Sequence, residues 1–231
     1  MPVRPVPSGR RPAAERAAPN APSGHSPARA RAKALVDLEA RERVCTNCDL
    51  FKRATQVVPG RGPLSARLIL VGEQPGDQED RAGEPFVGPA GHVLAEALAK
   101  AGIERRAVFV TNAVKHFKWE PRGKRRIHQK PRWSEIRACR PWLDAELALI
   151  AGPVIVALGA TAGQALLGAD FRITAGLGSI QPGPGGRAVI ATYHPSAVLR
   201  ATGDDRHRLF DQLTDDLRRA WQTAAARTRA R

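Results

Sequence analysis

Arg67-Leu-Ile-Leu-Val-Gly-Glu-Gln-Pro-Gly76 decides the fold of this chain. Residues 67–72 form a short apolar run, β-branched at two positions, that stops abruptly at glycine, proline and two polar residues. Such a run reads as a strand buried on both faces, feeding a loop at its carboxyl end. Working outward, a helix is expected over residues 92–101, ended by Gly102, and a second strand over 107–114. A longer helix follows over 133–150, then a strand over 153–158 and a short helix through Leu167. A fourth strand covers 187–192, and Asp204 can cap a last helix that runs to about Trp221. Short apolar strands alternating with helices predict a three-layer α/β/α sandwich around a central, mainly parallel four-stranded sheet. Sites in such folds gather at the carboxyl ends of the strands. Three polar motifs fall there: Gly72-Glu-Gln-Pro-Gly76, Thr111-Asn112 and Tyr193-His-Pro-Ser196.

The chain has 231 residues, 42% of them hydrophobic, which suits one domain with tails. Residues 1–34, rich in Pro, Ala and Arg, show no apolar periodicity and are expected to be disordered. The domain is expected over 35–223, with a basic tail over 224–231. No apolar run is long enough to span a bilayer, and no apolar stretch follows the basic start, so no membrane partner, no secretory signal and a cytoplasmic location are expected. A monomer is expected. The net charge of +15 is concentrated: +6 in residues 1–34, +7 in 115–132 and +5 in 218–231. Charge gathered in this way points to a polyanion such as DNA or RNA.

Cys45-x-x-Cys48, Cys139 and His116 form a candidate four-ligand set. By residue type it suits zinc or an iron–sulfur cluster, and the spacing does not choose between them. An odd cysteine count argues against a disulfide framework.

Taken in order, Cys45-x-x-Cys48, Gly72-Glu-Gln-Pro-Gly76, Gly83-Glu-Pro-Phe86-Val-Gly, Thr111-Asn112-Ala-Val-Lys, Ala138-Cys139-Arg-Pro-Trp-Leu and His194-Pro-Ser196 resemble the uracil-DNA glycosylase superfamily, and more closely its iron–sulfur branch. His116 stands where that branch has a cysteine, and Gly123-Lys-Arg-Arg-Ile-His128 is an added segment. Both features are similar to the UdgX branch, whose members become covalently joined to uracil-containing DNA.

The resemblance implies a [4Fe–4S] cluster on Cys45, Cys48, His116 and Cys139. It implies that Phe86 stacks on a flipped-out uracil and that Asn112 reads the base edge, since an amide offers a donor and an acceptor. On their own these residues read as a core Phe and a turn-capping Asn. His194 is expected to stabilise the departing base. His128 is expected to attack the sugar, with Glu73 orienting it and accepting its proton. Gln74, Asp77 and Arg200 are expected to line the site, and Lys124, Arg125 and Arg126 to contact phosphates. Two other readings fit the same residues: a conventional glycosylase that releases uracil with turnover, and a non-catalytic, metal-stapled nucleic-acid-binding module.

Overall fold

The computed structural model describes residues 27–230. Its centre is a sheet of five strands: β1 (Leu68–Gly72), β2 (Val108–Asn112), β5 (Val154–Leu158), β6 (Ile180–Pro182) and β7 (Ala188–Thr192). They lie in the order β2-β1-β5-β7-β6. The first four are mutually parallel, as their apolar runs predict. The sheet has one strand more than expected, because β6 pairs antiparallel with the outer side of β7. It is three residues long, mostly exposed and ends in a proline, so it carries no apolar signal. Proline is tolerated at such an edge.

Residues alternate across the sheet. Leu68 and Leu70 of β1 face a core shared with α3 (Pro89–Lys100), α7 (Pro195–Arg200) and α8 (Gly203–Arg229). Ile69 and Val71 face the opposite core, shared with α4 (Trp133–Leu149) and α5 (Ala160–Leu167). Both faces are therefore covered, giving the three layers expected. β2 lies on one side of β1 and β5 on the other, so the chain reverses its direction of winding at β1. That reversal opens a crevice beyond the carboxyl ends of the strands.

Three further features depart from the sequence reading. Helix α1 (Pro27–Glu42) begins inside the stretch expected to be disordered and packs on α4. The remainder of that stretch, residues 1–26, lies outside the described residues. The tail expected from residue 224 is instead the end of α8, with Ala224 buried. Finally, the basic segment 115–132 folds into an antiparallel hairpin, β3 (Trp119–Arg122) and β4 (Arg125–His128). Gly123, at φ +59°, takes the first place of its two-residue turn, where a left-handed backbone is needed. Among the described residues no helix is long and apolar enough to cross a membrane.

Candidate active site

A cavity of about 700 Å³ opens at the carboxyl edge of the sheet. Glu73, Gln74, Phe86, Asn112, His128, His194 and Arg200, seven of the residues singled out from sequence, line it together.

Asn112 ends β2 directly beside Gly72 of β1. It is 2% exposed, and its Oδ1 is buried without a hydrogen-bond partner. An orphaned buried acceptor costs roughly 1–3 kcal/mol unless something supplies a donor. Gly72 makes the floor possible: a Cβ there would collide with Asn112 Oδ1 and would lie 2.6 Å from Phe86 Cζ. Behind the strand, the Lys115 ammonium, the Thr111 hydroxyl and the Gly60 N–H all donate to Glu146, at 2.6, 2.6 and 2.7 Å. This buried group ties α4 to the strand end that carries Asn112.

Phe86 has φ +58°, the one non-glycine positive φ among the described residues. A bulky residue in that region costs about 1–3 kcal/mol and persists only where its surroundings hold it. Gly91 permits close packing against the Phe86 carbonyl. Glu79, absent from the sequence reading, completes the hold. Its Oε1 accepts the Gly88 N–H at 2.7 Å and its Oε2 the Gly76 N–H at 3.1 Å. One buried carboxylate thus joins the loop after β1 to the loop that carries Phe86, and sits at the N-termini of α2 (Asp77–Ala82) and α3, where negative charge is favoured. Glu79 stands three residues after Gly76, the offset from which a glutamate reaches back to the N-cap N–H, but glycine lacks the capping side chain that would have flagged it.

His194 caps α7. The Ser196 N–H donates to its Nδ1 at 3.1 Å. Nδ1 therefore holds a lone pair, and the neutral ring carries its proton on Nε2. Burial, reinforced by the charges of Arg200 and His128, pushes the His194 pKa down to about 4. The ring is neutral at physiological pH, with one N–H to offer.

His128 ends β4, half-exposed at the cavity, with Nε2 3.4 Å from Glu73 Oε1. Burial lowers its pKa below the ordinary histidine value; Glu73 works against that shift and Arg200 with it. The other Glu73 oxygen accepts a hydrogen bond from the Thr161 hydroxyl. Gln74 grips the base of the hairpin, donating to the carbonyls of Lys118 and Gln129, both at 3.1 Å.

Two expectations change. Arg126 was expected on phosphates, but it is 13% exposed and bound inward. Its guanidinium pairs with Asp77 and, at 2.6 Å, with the fully buried Asp80, and it lies 5.4 Å from the ring centres of both Phe117 and Trp119. Asp77, expected to line the site, does not reach the cavity, because its carboxylate is engaged by Arg126 and Arg81. Lys124 and Arg125 remain exposed at the hairpin tip. Thr161 and Lys130 line the cavity without having been singled out, and Tyr193, quoted above only as part of its motif, lines it too.

The three thiols come from two segments. Cys45 follows α1, Cys48 precedes a short 3-10 turn, and Cys139 lies in α4. Cys45 Sγ accepts from the Trp142 indole at 3.0 Å, and Cys139 Sγ from the Lys115 N–H at 3.2 Å. Burial pushes the Cys139 thiol up to about 12, and the charges of Cys48 and Cys45 act on it in the same direction. His116 is buried and lies within reach of the charge of Asp80. Among the described residues, no three of these donor types converge tightly enough to hold a single metal ion.

The arrangement offers a dry amide, an aromatic wall, a neutral imidazole donor and an imidazole–carboxylate pair around one cavity. The chain is 39% identical over 181 residues to a type-4 uracil-DNA glycosylase of Thermotoga maritima, covering 78% of this chain and 89% of that protein. It is 37% identical to the type-4 enzyme of Archaeoglobus fulgidus, covering 72% and 84%. It is 34% identical to a type-5 uracil-DNA glycosylase of Thermus thermophilus, covering 70% and 79%. The sequence profile described as the Uracil DNA glycosylase superfamily matches residues 59–218, the span that builds the sheet and every wall of the cavity, and the chain belongs to that superfamily.

Proposed function

We propose that this protein excises uracil from DNA and then captures the resulting sugar on His128. Membership of the superfamily and the names of the relatives support the first half. The placement of His128 against Glu73, in the cavity shared with Asn112 and His194, is the observation that carries the second.

Uracil leaves its stack and enters between Phe86 and the Asn112 amide, which meets its hydrogen-bonding edge. The glycosidic bond breaks, and its electron pair departs with the base. The neutral His194 donor stabilises the charge that gathers on the uracil oxygen. C1′ of the sugar becomes cationic. A lone pair on the His128 ring forms the new bond to C1′, and the proton on the other ring nitrogen passes to Glu73. What remains is a neutral N-alkyl imidazole, a poor leaving group, so the adduct persists and each molecule acts once. Lys124 and Arg125 contact phosphates near the cavity, and Arg200 sits at its mouth.

Cys45, Cys48, Cys139 and His116 are proposed to hold a [4Fe–4S] cluster. Two partly buried thiols on the loop after α1 and one buried thiol in α4 make up, with His116, the donor types of such a cluster, which would serve as a staple between those segments. Purified protein should be yellow-brown and contain iron; one zinc and no iron overturns this assignment.

The deciding experiment is incubation with a uracil-containing oligonucleotide followed by denaturing electrophoresis. Wild-type protein should give a band that survives heat and detergent, and thymine in place of uracil should give none. His128→Ala should lose the band yet release free uracil with turnover. Wild-type release of uracil without a shifted band would leave a conventional glycosylase, as the type-4 relatives are named. Neither uracil nor a band would leave a binding module.

A further inference from the structure

The geometry points to Thr161 as the positioning residue that aims Glu73 at His128, and so decides whether the sugar is captured by the protein or by water. The inference rests on the capture reading above and deepens it.

Glu73 lies on the loop after β1 and is partly exposed. Its terminal carboxylate torsion is broad and two-fold, so nothing intrinsic to the side chain selects which oxygen faces the hairpin. His128 stands on a two-stranded ribbon outside the main sheet. Arg126 and Gln74 dock that ribbon, so what remains to be fixed is the Glu73 torsion, and Thr161 fixes it. It is 1% exposed, in the first turn of α5, and its hydroxyl donates to Glu73 Oε2. Oε1 is left facing His128 Nε2 at 3.4 Å. A hydroxyl has a single proton, and here it is committed to the carboxylate.

The origin of Thr161 matters as much as its bond. The chain leaves β5 through Gly159, at φ +91°, where a Cβ would lie 3.0 Å from the Cβ of His194. One turn therefore packs against the donor for the departing base and, two residues on, grips the carboxylate beside the nucleophile. The two sides of the breaking bond are set from one rigid corner of the fold.

Losing this hydroxyl should change partition rather than binding. The reaction at the sugar is unchanged in its atoms: the glycosidic electron pair leaves with uracil, and C1′ then takes either a His128 nitrogen or a water oxygen. With Glu73 free to turn, capture by His128 slows, and water takes a larger share.

The test uses the full chain in excess over a uracil oligonucleotide. It scores free uracil, adduct and abasic product in one reaction, alongside the dissociation constant for uracil-DNA. Thr161→Val keeps the shape and removes the hydroxyl. The ratio of adduct to abasic product should fall about ten- to a hundred-fold, the span of a lost hydrogen bond to a charged group. Uracil release and DNA affinity should stay near wild type. Thr161→Ser, which keeps the hydroxyl, should restore the ratio. If Thr161→Val fails to fold, Thr161→Ala repeats the measurement without the added methyl. A wild-type adduct whose partition is unchanged in the hydroxyl-free variant overturns this inference alone, as does a failure of Thr161→Ser to restore it. No adduct in the wild type overturns the capture reading and this inference with it.

Discussion

Replacing Arg126 with methionine keeps an apolar stem in the hairpin and removes every polar bond that docks it onto α2. Asp80 is fully buried and retains only the two contacts from the Thr55 N–H, at 3.0 and 3.1 Å. Breaking a buried pair by deleting one partner costs about 3–5 kcal/mol, because the remaining charge is stranded. The Asp77 arm, on a carboxylate that is 41% exposed, adds at most about 1 kcal/mol. Each 1.36 kcal/mol is about a factor of ten, so docking of the hairpin weakens by about two to four orders of magnitude. A lone two-stranded ribbon is marginal in water, so it has little stability of its own to fall back on. Gln74 and Trp119 still grip its base, through bonds at 3.1 Å to two carbonyls and at 2.9 Å to the Arg53 carbonyl. Adduct formation should therefore slow about ten- to a hundred-fold, part of the docking loss being absorbed. Uracil release should survive, since Phe86, Asn112 and His194 do not depend on the hairpin. Single-turnover reactions resolved on denaturing gels, with uracil counted separately, measure both. Adding Asp80→Asn removes the stranded charge and should recover melting temperature but not adduct rate. An adduct rate equal to wild type in Arg126→Met would refute the anchoring argument.

Two further outcomes follow from the geometry. Gly72→Ala should cut uracil release about ten- to a hundred-fold, because overpacking of roughly 1–3 kcal/mol falls on Asn112 and Phe86 at once; initial rates and a thermal melt separate pocket closure from unfolding. Capture requires neutral His128, and desolvation at the cavity lowers its pKa, so the acid limb of adduct formation should lie below the ordinary value of 6.5 as pH falls; a limb above it contradicts that shift. His194 is depressed likewise, to about 4, so its share of stability is present above pH 6.5 and lost as pH falls through about 4, which melts across that window will show.

The sheet was readable because strands buried on both faces must be continuously apolar, and the loops that follow them must break the run. The strands at 68–72, 108–112, 154–158 and 188–192 each lie inside the expected spans. Glu73, Asn112 and His194 were readable for the same reason, standing where those strands end. The edge strand at 180–182 and the hairpin were not, because neither buries an apolar face of its own. Local apolar patterning set the scaffold and the carboxyl edge on which the site stands. Only tertiary structure decided which cations meet solvent: Arg125 and Arg126 are adjacent and chemically identical, yet strand alternation turns one outward and the other onto Asp80, 46 residues away. Only tertiary structure, too, brought Thr161 to Glu73 across 88 residues. Burial patterns are written locally, one element at a time, whereas a hydrogen bond between distant elements exists only once the layers between them have packed.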